Sequence, residues 1–346
     1  MEEAVLPAVV ALLIAALVGD ILIITYGQSP SAVYRLLIEG TWGNAYGLGQ
    51  VLYKTTTLTF TGLSVAIALR AGLFNIGAES QLAAGGFLAA IVGTLLPPGI
   101  PTILLLPVFI LAAAVGGGLV GGAAGVLKSR WGAHEVITTI MLNFIVLALL
   151  NYLTVAHFKV FDTLHTADIA SGTLPRLSAI FPAFHGSAAN LVLVLALVAV
   201  VASWWYLFRS RAGYELRAVG LQPAAAEYGG VHVPSVWWKA MLISGAVAGI
   251  GGLNFVLGYK HYYEDGFGTG AGFLGIAVAL VGRNNPWGVL LSAALFATLS
   301  QGGLAVNALV PKQMVEVLQA VVIIAVVTSV PEVHRLLRTV RRGAEP

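Results

Sequence analysis

Long apolar runs separated by short polar segments make up most of this sequence. A helix that crosses a membrane needs about 20 apolar residues, and runs of that length recur along the whole chain. They predict ten spans, at about residues 4–26, 51–70, 76–96, 100–127, 133–155, 191–208, 234–257, 270–282, 287–303 and 313–330. The polar stretches between them predict a short interfacial helix at 31–39 and a long loop at about 156–190.

Composition agrees with a membrane protein. The chain is 58% hydrophobic and 10% charged, whereas a soluble domain carries about 25% charged residues. Among its 41 glycines, several pairs are spaced four residues apart, which suits close helix packing in lipid. The pairs are Gly117/Gly121, Gly118/Gly122, Gly121/Gly125 and Gly245/Gly249. We therefore predict an all-α polytopic membrane protein of about ten transmembrane helices, forming one domain over residues 1–346.

The distribution of Lys and Arg predicts which ends of the spans face the cytoplasm. With the N-terminus inside, six of the 18 basic residues fall outside: Arg35, Lys54, Lys159, Arg176, Lys260 and Lys312. All others fall inside, so the positive-inside rule favours a cytoplasmic N-terminus and C-terminus in the cell membrane. The 156–190 loop is then external. The acidic start, Met-Glu-Glu, is unlike a cleavable signal peptide, so we expect the first span to be retained.

Two predicted spans begin with related glycine-rich sequence. These are Gly72-Leu-Phe-Asn-Ile-Gly77 and Gly272-Phe-Leu-Gly-Ile276. In the predicted topology the two spans run in opposite directions, as in inverted repeats of five helices with a solute path between them. Ancestry and chance explain this short likeness about equally well.

Several kinds of chemistry lack their sequence signals. The chain has no cysteine, which excludes disulfides and thiolate sites. It has no P-loop, nucleophile elbow or paired-histidine motif, so we predict no catalytic residue, no metal site and no cofactor in this chain. Gly270-Ala-Gly-Phe-Leu-Gly275 matches a dinucleotide-binding pattern but follows no predicted strand. We interpret it as a packing or path-lining run and count Phe273 among the path residues. The net charge of +3 is small and reflects topology, not nucleic-acid binding.

Polar residues at the start of the third predicted span are the first candidate site. The stretch 70–86 contains Asn75 and the run Glu79-Ser80-Gln81 between two long apolar segments. A charge at a helix centre costs about 2.5–3.5 kcal/mol, so such groups usually face a protein interior or a watery path. We predict that they gate a solute path at its inner mouth. An equally good explanation is that Asn75 caps the span and that Glu79 favours the positive end of its helix.

The fifth predicted span carries a second polar face. Thr139 and Asn143 follow Glu135 near helical spacing, and they either line the path or bond within and between helices. A threonine hydroxyl often bonds to the carbonyl four residues earlier, which favours the structural role for Thr139. We favour the path for Asn143. In the second span, Tyr53 offers an aromatic ring to a sugar or base, although the neighbouring Lys54 is close enough to the surface to snorkel.

The most charged internal segment contains the third candidate. Gly220 and Pro223 bracket a helix start, Ala224–Tyr228 is rich in small residues, and Gly229 with Gly230 ends the helix. Small side chains leave a smooth surface on the predicted cytoplasmic side, which suits a groove in a partner protein. A simple loop helix without a partner explains the same residues.

Four motifs spread over about residues 50–290 stand out together. They are Phe74-Asn-Ile-Gly-Ala-Glu-Ser-Gln81, Glu135-Val-Ile-Thr-Thr-Ile-Met-Leu-Asn143, Arg217-Ala-Val-Gly220 with Ala224-Ala225 and Gly230, and Gly275-Ile-Ala-Val-Ala-Leu280 with Arg283-Asn-Asn-Pro286. In combination they resemble the permease subunits of ATP-binding-cassette (ABC) importers for simple sugars, nucleosides and branched-chain amino acids. The likeness is strongest to the nucleoside permeases. It implies a non-enzymatic subunit that moves a nucleoside, or a similar sugar-containing solute, into the cytoplasm.

The same resemblance implies partners. These are a second, related permease in a heterodimer, a cytoplasmic ATPase that binds ATP and Mg²⁺, and an extracytoplasmic substrate-binding lipoprotein. The segment at about 220–231 then corresponds to the coupling helix that contacts the ATPase. The coupling residues are Arg217, Gly220, Gln222, Ala224, Ala225, Tyr228 and Gly230.

The alternative hypothesis is a secondary transporter of a small polar solute, driven by H⁺ or Na⁺. Such a protein requires an ionisable relay in the middle of the membrane. The sequence instead predicts its four candidate acidic residues near span ends. They are Asp20, Glu79, Glu135 and Glu316.

Overall fold

The helices of this protein follow the apolar runs of its sequence. The computed structural model describes residues 2–311 and 313–325. Its helices are α1 Glu2–Thr25, α2 Pro30–Thr41, α3 Ala45–Arg70, α4 Ala78–Leu95, α5 Thr102–Trp131, α6 Glu135–Leu153, α7 Val192–Arg209, α8 Arg211–Leu221, α9 Pro223–Tyr228, α10 Val233–Gly251, α11 Leu253–Val256, α12 Ala271–Val281, α13 Pro286–Val306 and α14 Gln313–Ala325. No strand occurs in these residues, which confirms the all-α class.

Among the described residues, six helices are long and apolar enough to cross a membrane. They are α4, α5, α6 with its continuation to Phe158, α7, α10 continued through α11 to Val256, and α13. Two other predicted spans do not meet both conditions: α3 is long but less apolar, and the 11 residues of α12 extend only about 16 Å. For α1 and α14 the comparison covers only Ala16–Thr25 and Gln313–Ala325, so the predicted spans at 4–26 and 313–330 stay predictions. The count of ten spans and the inverted repeats therefore stay predictions, and residues 326–346, with the basic tail, lie outside the described residues.

Proline and glycine set several helix boundaries. Helices α2 and α9 begin at Pro30 and Pro223, where the missing N–H costs no helical hydrogen bond. Helix α5 ends at Gly132, whose φ of 67° lets its N–H turn back to the carbonyls of Leu127 and Lys128. The short helices predicted at 31–39 and within 220–231 are confirmed.

Glycines bring α4, α5 and α10 together. A Cβ built on Gly117 of α5 would overlap the carbonyl oxygen of Gly245 in α10, and one on Gly249 would overlap that of Ala113. Gly85 of α4 lies against Gly249 in the same way. Because these positions carry no side chain, the backbones approach closely, as the spacing of Gly245 and Gly249 predicts.

Two compact units divide the chain. One consists of Met1–Val51 and Leu295–Pro346, and the other of Leu52–Ala294. Within the first, Gly302 of α13 packs against the side chain of Leu37 in α2. One buried apolar cluster of this unit consists of Ile23, Val33, Val306, Val310, Met314 and Val315. The second unit contains all the candidate site residues.

The long segment between α6 and α7 is a loop, as predicted for residues 156–190. It contains two short 3₁₀ turns and hydrogen-bonds along the chain that follows α11. The N–H of Ile169 donates to the carbonyl of His261 at 2.8 Å, and that of Leu174 donates to Leu257 at 3.0 Å. These bonds hold the loop beside the segment that leads into α12.

Candidate functional site

The turn between α3 and α4 lies inside the helix bundle. It contacts Ser64, six residues before the end of α3, and Ser244, eleven residues after the start of α10. It also contacts Asn143, eight residues after the start of α6. At 1.5 Å per residue, these contacts lie about 9–16 Å from the helix ends. Helix α4 therefore begins deep in the protein.

The surroundings of Glu79 add to what the sequence predicts. Glu79 does lie in the first turn of its helix, as predicted. Ser80 sits beside the middle of α6, and Asn75, Glu79 and Ser80 are all buried. A role for these residues as a gate at the inner mouth of a solute path stays a prediction. Irregular backbone at membrane depth is tolerated where it is enclosed by protein or lines a cavity.

Asn75 is the centre of a buried hydrogen-bond cluster. Its amide nitrogen donates to Gln81 Oε1 at 2.8 Å, and Gln81 Nε2 donates back to Asn75 Oδ1 at 3.0 Å. The same Oδ1 accepts the N–H of Gly77 at 2.9 Å, as in an Asx turn. Asn75 Nδ2 also donates to Ser244 Oγ at 2.8 Å, and the hydroxyls of Ser64 and Ser244 lie 3.0 Å apart. One side chain thus joins α3, α4 and α10.

Two side chains of α6 hold the same turn from the opposite side. Asn143 donates to the carbonyl of Ile76 at 2.9 Å and accepts the N–H of Ser80 at 3.1 Å. Thr139 Oγ1 donates to the carbonyl of Glu135, four residues earlier, at 2.7 Å. This is the bond that the sequence predicts for Thr139, and the same oxygen accepts the N–H of Ile76 at 3.3 Å. A place for Thr139 on a solute path stays a prediction. Asn143, which the sequence favoured as a path residue, cross-links α6 to the start of α4.

Glu79 differs from its polar neighbours. The residue is only 8% exposed, and its Oε2 has no hydrogen-bond partner among the residues that the structure describes. Gly272 of α12 lies so close that a Cβ there would overlap Glu79. The first turns of α4 and α12 therefore meet at the backbone of Glu79.

A cavity of about 540 Å³ opens beside Glu79. Its walls come from α4, α6 and the segment before α12, and its polar residues besides Glu79 are Asn151, Tyr263, Asp265 and Thr269. Asn151 Nδ2 donates to Asp265 Oδ2 at 2.5 Å, and both residues are exposed. The cavity thus has a buried acidic end and an exposed polar end. In the described part of the chain, no group of three or more His, Asp or Glu residues has the arrangement of a metal site.

Tyr53 and Phe273 lie apart from this cavity. The ring of Tyr53 packs against that of Tyr259, with centroids 5.4 Å apart, and neither ring lines the cavity. Phe273 lies on α12 with 52% of its surface exposed. The role of both residues in a solute path stays a prediction.

Helices α8 and α9 form a second candidate surface, made of exposed small and polar residues. Tyr228 is 97% exposed, and Gln222, Ala224, Ala225 and Gly230 are exposed beside it. Ala226 alone of helix α9 is buried, against Val219 and Val233. The helix is thus anchored on one face and free on the other.

Two residues before α9 face inward. A Cβ on Gly220 would overlap the carbonyl oxygen of Arg70 and lie 2.9 Å from the N–H nitrogen of Gly72. Arg217 Cζ lies 5.2 Å from the ring centre of Phe208, and Arg70 Cζ lies 5.4 Å from the same ring. Gly220 and Arg217 therefore connect the α8–α9 surface to the end of α3.

Sequence reasoning missed most of the cavity wall and two members of the hydrogen-bond cluster. Ser64 and Ser244 are single hydroxyls inside apolar runs and have no local signal. Asp265 ends the polar stretch Lys260-His-Tyr-Tyr-Glu-Asp265, but nothing in the sequence indicates which residues it contacts. The missed residues are Ser64, Asn151, Ser244, Tyr263, Asp265, Phe267 and Thr269.

One family model and several known proteins match most of the chain. Residues 47–327 match the model described as "Branched-chain amino acid transport system / permease component". The guanosine ABC transporter permease protein NupP of Bacillus subtilis is 37% identical over 92% of each chain. The nucleoside ABC transporter permease protein NupB of Lactococcus lactis is 33% identical over 92% of this chain and 89% of its own. A glucose ABC transporter permease protein of Haloferax volcanii is 33% identical over 93% and 86%. No solved structure gives a significant match.

Proposed function

Because this chain belongs to the family of permease components of branched-chain amino acid transport systems, we propose that it is a membrane-spanning subunit of an ABC importer for nucleosides. The main support for a nucleoside as the substrate is the 37% identity to a guanosine permease over 92% of both chains. The nucleoside permease at 33% identity supports it. The glucose permease at the same identity makes another sugar-containing solute the second choice.

The proposed partners are a second permease, a cytoplasmic ATPase and an external binding lipoprotein. The chain itself has no P-loop to bind ATP, so ATP and Mg²⁺ would be bound by the ATPase. Helix α9 supports this assignment because its small residues are exposed on a helix that Ala226 anchors. We propose that it is the coupling helix, with the N-terminus and C-terminus on the same, cytoplasmic side.

The path residues have a proposed role in this cycle. The cluster around Asn75 holds the start of α4, and Gly220 connects that turn to α9. Closure of the ATPase would push on α9 and shift the turn, switching the permease between two gated states. Asn75, Ser80, Gln81, Thr139 and Asn143 would then act by positioning α4.

One observation favours an ion-coupled transporter as a second candidate. Glu79 is an ionisable group buried within the bundle, which is the kind of residue that a proton relay needs. Uptake measurements in uncoupler-treated cells separate the two mechanisms. The uncoupler removes the ion gradients, and the cells are kept supplied with ATP. An ABC importer continues to accumulate solute under these conditions, and an ion-coupled transporter stops.

The test of the proposed function combines purification with transport. The tagged chain is purified gently from its native membranes, and co-eluting proteins are identified by mass spectrometry. A P-loop ATPase and a second permease in stoichiometric amounts are the expected result, together with loss of labelled guanosine uptake when the chain is deleted. A lone chain in several detergents, or guanosine uptake that survives deletion, would contradict the proposal.

A further inference from the structure

We infer that the cavity beside Glu79 is a transit site for the solute, in which the Glu79 carboxylate accepts hydrogen bonds from two adjacent hydroxyl groups of the sugar. This inference rests on the proposed function and adds a chemical class of ligand. It assigns Glu79 as a specificity-determining residue. The cavity lies between α4, α6 and the segment 263–269.

The state of Glu79 is the first argument for a ligand. A buried carboxylate oxygen without a partner costs free energy, because it has lost its hydration and gained nothing in return. Glu79 Oε2 is in that state while its neighbours Asn75, Ser80 and Gln81 all have partners. A solute that donates hydrogen bonds to this oxygen would restore the lost interaction.

The charge of the wall is the second argument. Two of the ten lining residues are acidic, Glu79 and Asp265, and none is Lys, Arg or His. Such a wall disfavours a carboxylate or phosphate on the solute, and therefore disfavours amino acids and nucleotides. A carboxylate has two acceptor oxygens, and hydroxyl donors form short charge-assisted bonds with it. A neutral sugar with adjacent hydroxyls matches that requirement.

The size and the aromatic residues of the cavity are the third argument. Its volume of about 540 Å³ lies within the range of about 300–1,000 Å³ that is common for small-molecule sites. Tyr263 and Phe267 line it, and Phe267 is fixed by stacking on Phe255 with centroids 4.6 Å apart. Rigid aromatic rings give a flat solute, such as a nucleobase, an apolar surface while the sugar points to Glu79.

The absence of cysteine from the chain provides the test. A Thr269→Cys change places a single thiol of this chain on the exposed end of the cavity wall. The tagged full-length chain, in vesicles of its native membrane with its own subunits, is labelled with a small maleimide and recovered through the tag. The labelling rate is measured against increasing guanosine, 2′,3′-dideoxyguanosine and inosine.

Guanosine and inosine should slow the labelling, because both have the two adjacent hydroxyls. For the same protection, the concentration of the dideoxy compound should have to be at least about tenfold higher than that of guanosine. The loss of one hydrogen bond to a charged group has an effect of that size. Equal protection by guanosine and its dideoxy analogue would overturn the inference, as would the absence of protection by any solute. Protection by the dideoxy compound but not by inosine would assign Glu79 to the base edge, and would also overturn it.

A substitution of Glu79 adds a second readout. In the Thr269→Cys chain, Glu79→Gln should raise the half-protecting guanosine concentration by about tenfold and abolish the preference over the dideoxy analogue. The matched control is Glu39→Gln, the same change at a carboxylate that is 60% exposed and pairs with Arg35. It should leave protection unchanged. The comparison of the two nucleosides in the Thr269→Cys chain needs no change at Glu79 and stands even where Glu79→Gln fails to fold.

Failure of this inference is distinguishable from failure of the proposed function. Uptake of guanosine that depends on the chain, without any protection, would overturn only the transit site. Protection with the expected preference, without uptake, would support the transit site and count against the transport role.

Discussion

Gly220 and Gly72 are in direct backbone contact: the Cα of Gly220 lies 3.3 Å from the position that a Cβ on residue 72 would occupy. Gly72 has a φ of 73°, a conformation that residues with a side chain rarely adopt. The contact joins the α8–α9 surface to the turn that contains Asn75 and leads to Glu79.

The first prediction separates this contact from the docking surface. Gly220→Ala inserts a methyl group against the Arg70 carbonyl, so the ATPase should still co-purify while uptake per ATP hydrolysed falls. Allosteric coupling typically amounts to about 5–150-fold, and the fall should lie in that range. Ala225→Trp adds bulk on the exposed face and should instead abolish co-purification of the ATPase.

Uptake and ATP hydrolysis in proteoliposomes, with the amount of bound ATPase, check both changes. The control is Gly122→Ala in α5, where a Cβ would lie 3.4 Å from the Leu242 side chain, an ordinary contact. Normal coupling in Gly220→Ala, or normal ATPase binding in Ala225→Trp, would contradict the respective assignment.

The second prediction concerns Asn75. Asn75→Ala removes the shared hydrogen-bond partner of the Gln81 amide, the Gly77 N–H and the Ser244 hydroxyl. These polar groups stay buried in the variant. Hydrogen bonds within membranes contribute modestly, so the free energy of unfolding should fall by about 1–3 kcal/mol. Thermal unfolding in detergent measures the change. Gln222→Ala, at an exposed amide, should have little effect, and an equal loss in both variants would argue against the cluster.

The sequence predicts the helices well, but it does not predict which side chains meet around the site. The apolar runs locate α4, α5, α6, α7, α10 and α13 to within a few residues, because span length and hydropathy are local properties. Helix α4 begins beside Asn143, halfway along α6. This position depends on how α4 and α6, which are about 40 residues apart in the sequence, pack together. A run such as Glu79-Ser80-Gln81 looks the same at a surface and within a bundle. Ser64 and Ser244 meet only in the folded chain.

The third prediction tests which glycines form the contact between α5 and α10. The sequence marks Gly117 and Gly118 alike, since each has a glycine four residues later. In the structure a Cβ on Gly117 would overlap the Gly245 carbonyl, whereas one on Gly118 would lie 3.4 Å from the Leu242 carbonyl. Gly117→Ala should therefore force the helices apart and cost about 1–3 kcal/mol, as overpacking does.

Gly118→Ala is the matched control, one residue away in the same helix with the same chemical change. It should unfold at the temperature of the unmodified protein, while Gly117→Ala should unfold several degrees lower. Both melting curves are recorded in the same detergent. Equal stability of the two variants would show that the helices do not pack through Gly117.

The fourth prediction concerns the ion pair between α5 and α6. Lys128 Nζ lies 2.9 Å from Glu135 Oε2, and the two side chains are 21% and 11% exposed. Lys128→Met leaves the carboxylate buried without its counter-ion, which should cost about 1.5–3 kcal/mol. The double variant Lys128→Met/Glu135→Gln has neither charge of the pair, so it should recover most of the lost free energy of unfolding. A double-mutant cycle of unfolding free energies measures the coupling. If the two single losses simply add in the double variant, the ion pair contributes nothing to the contact between these helices.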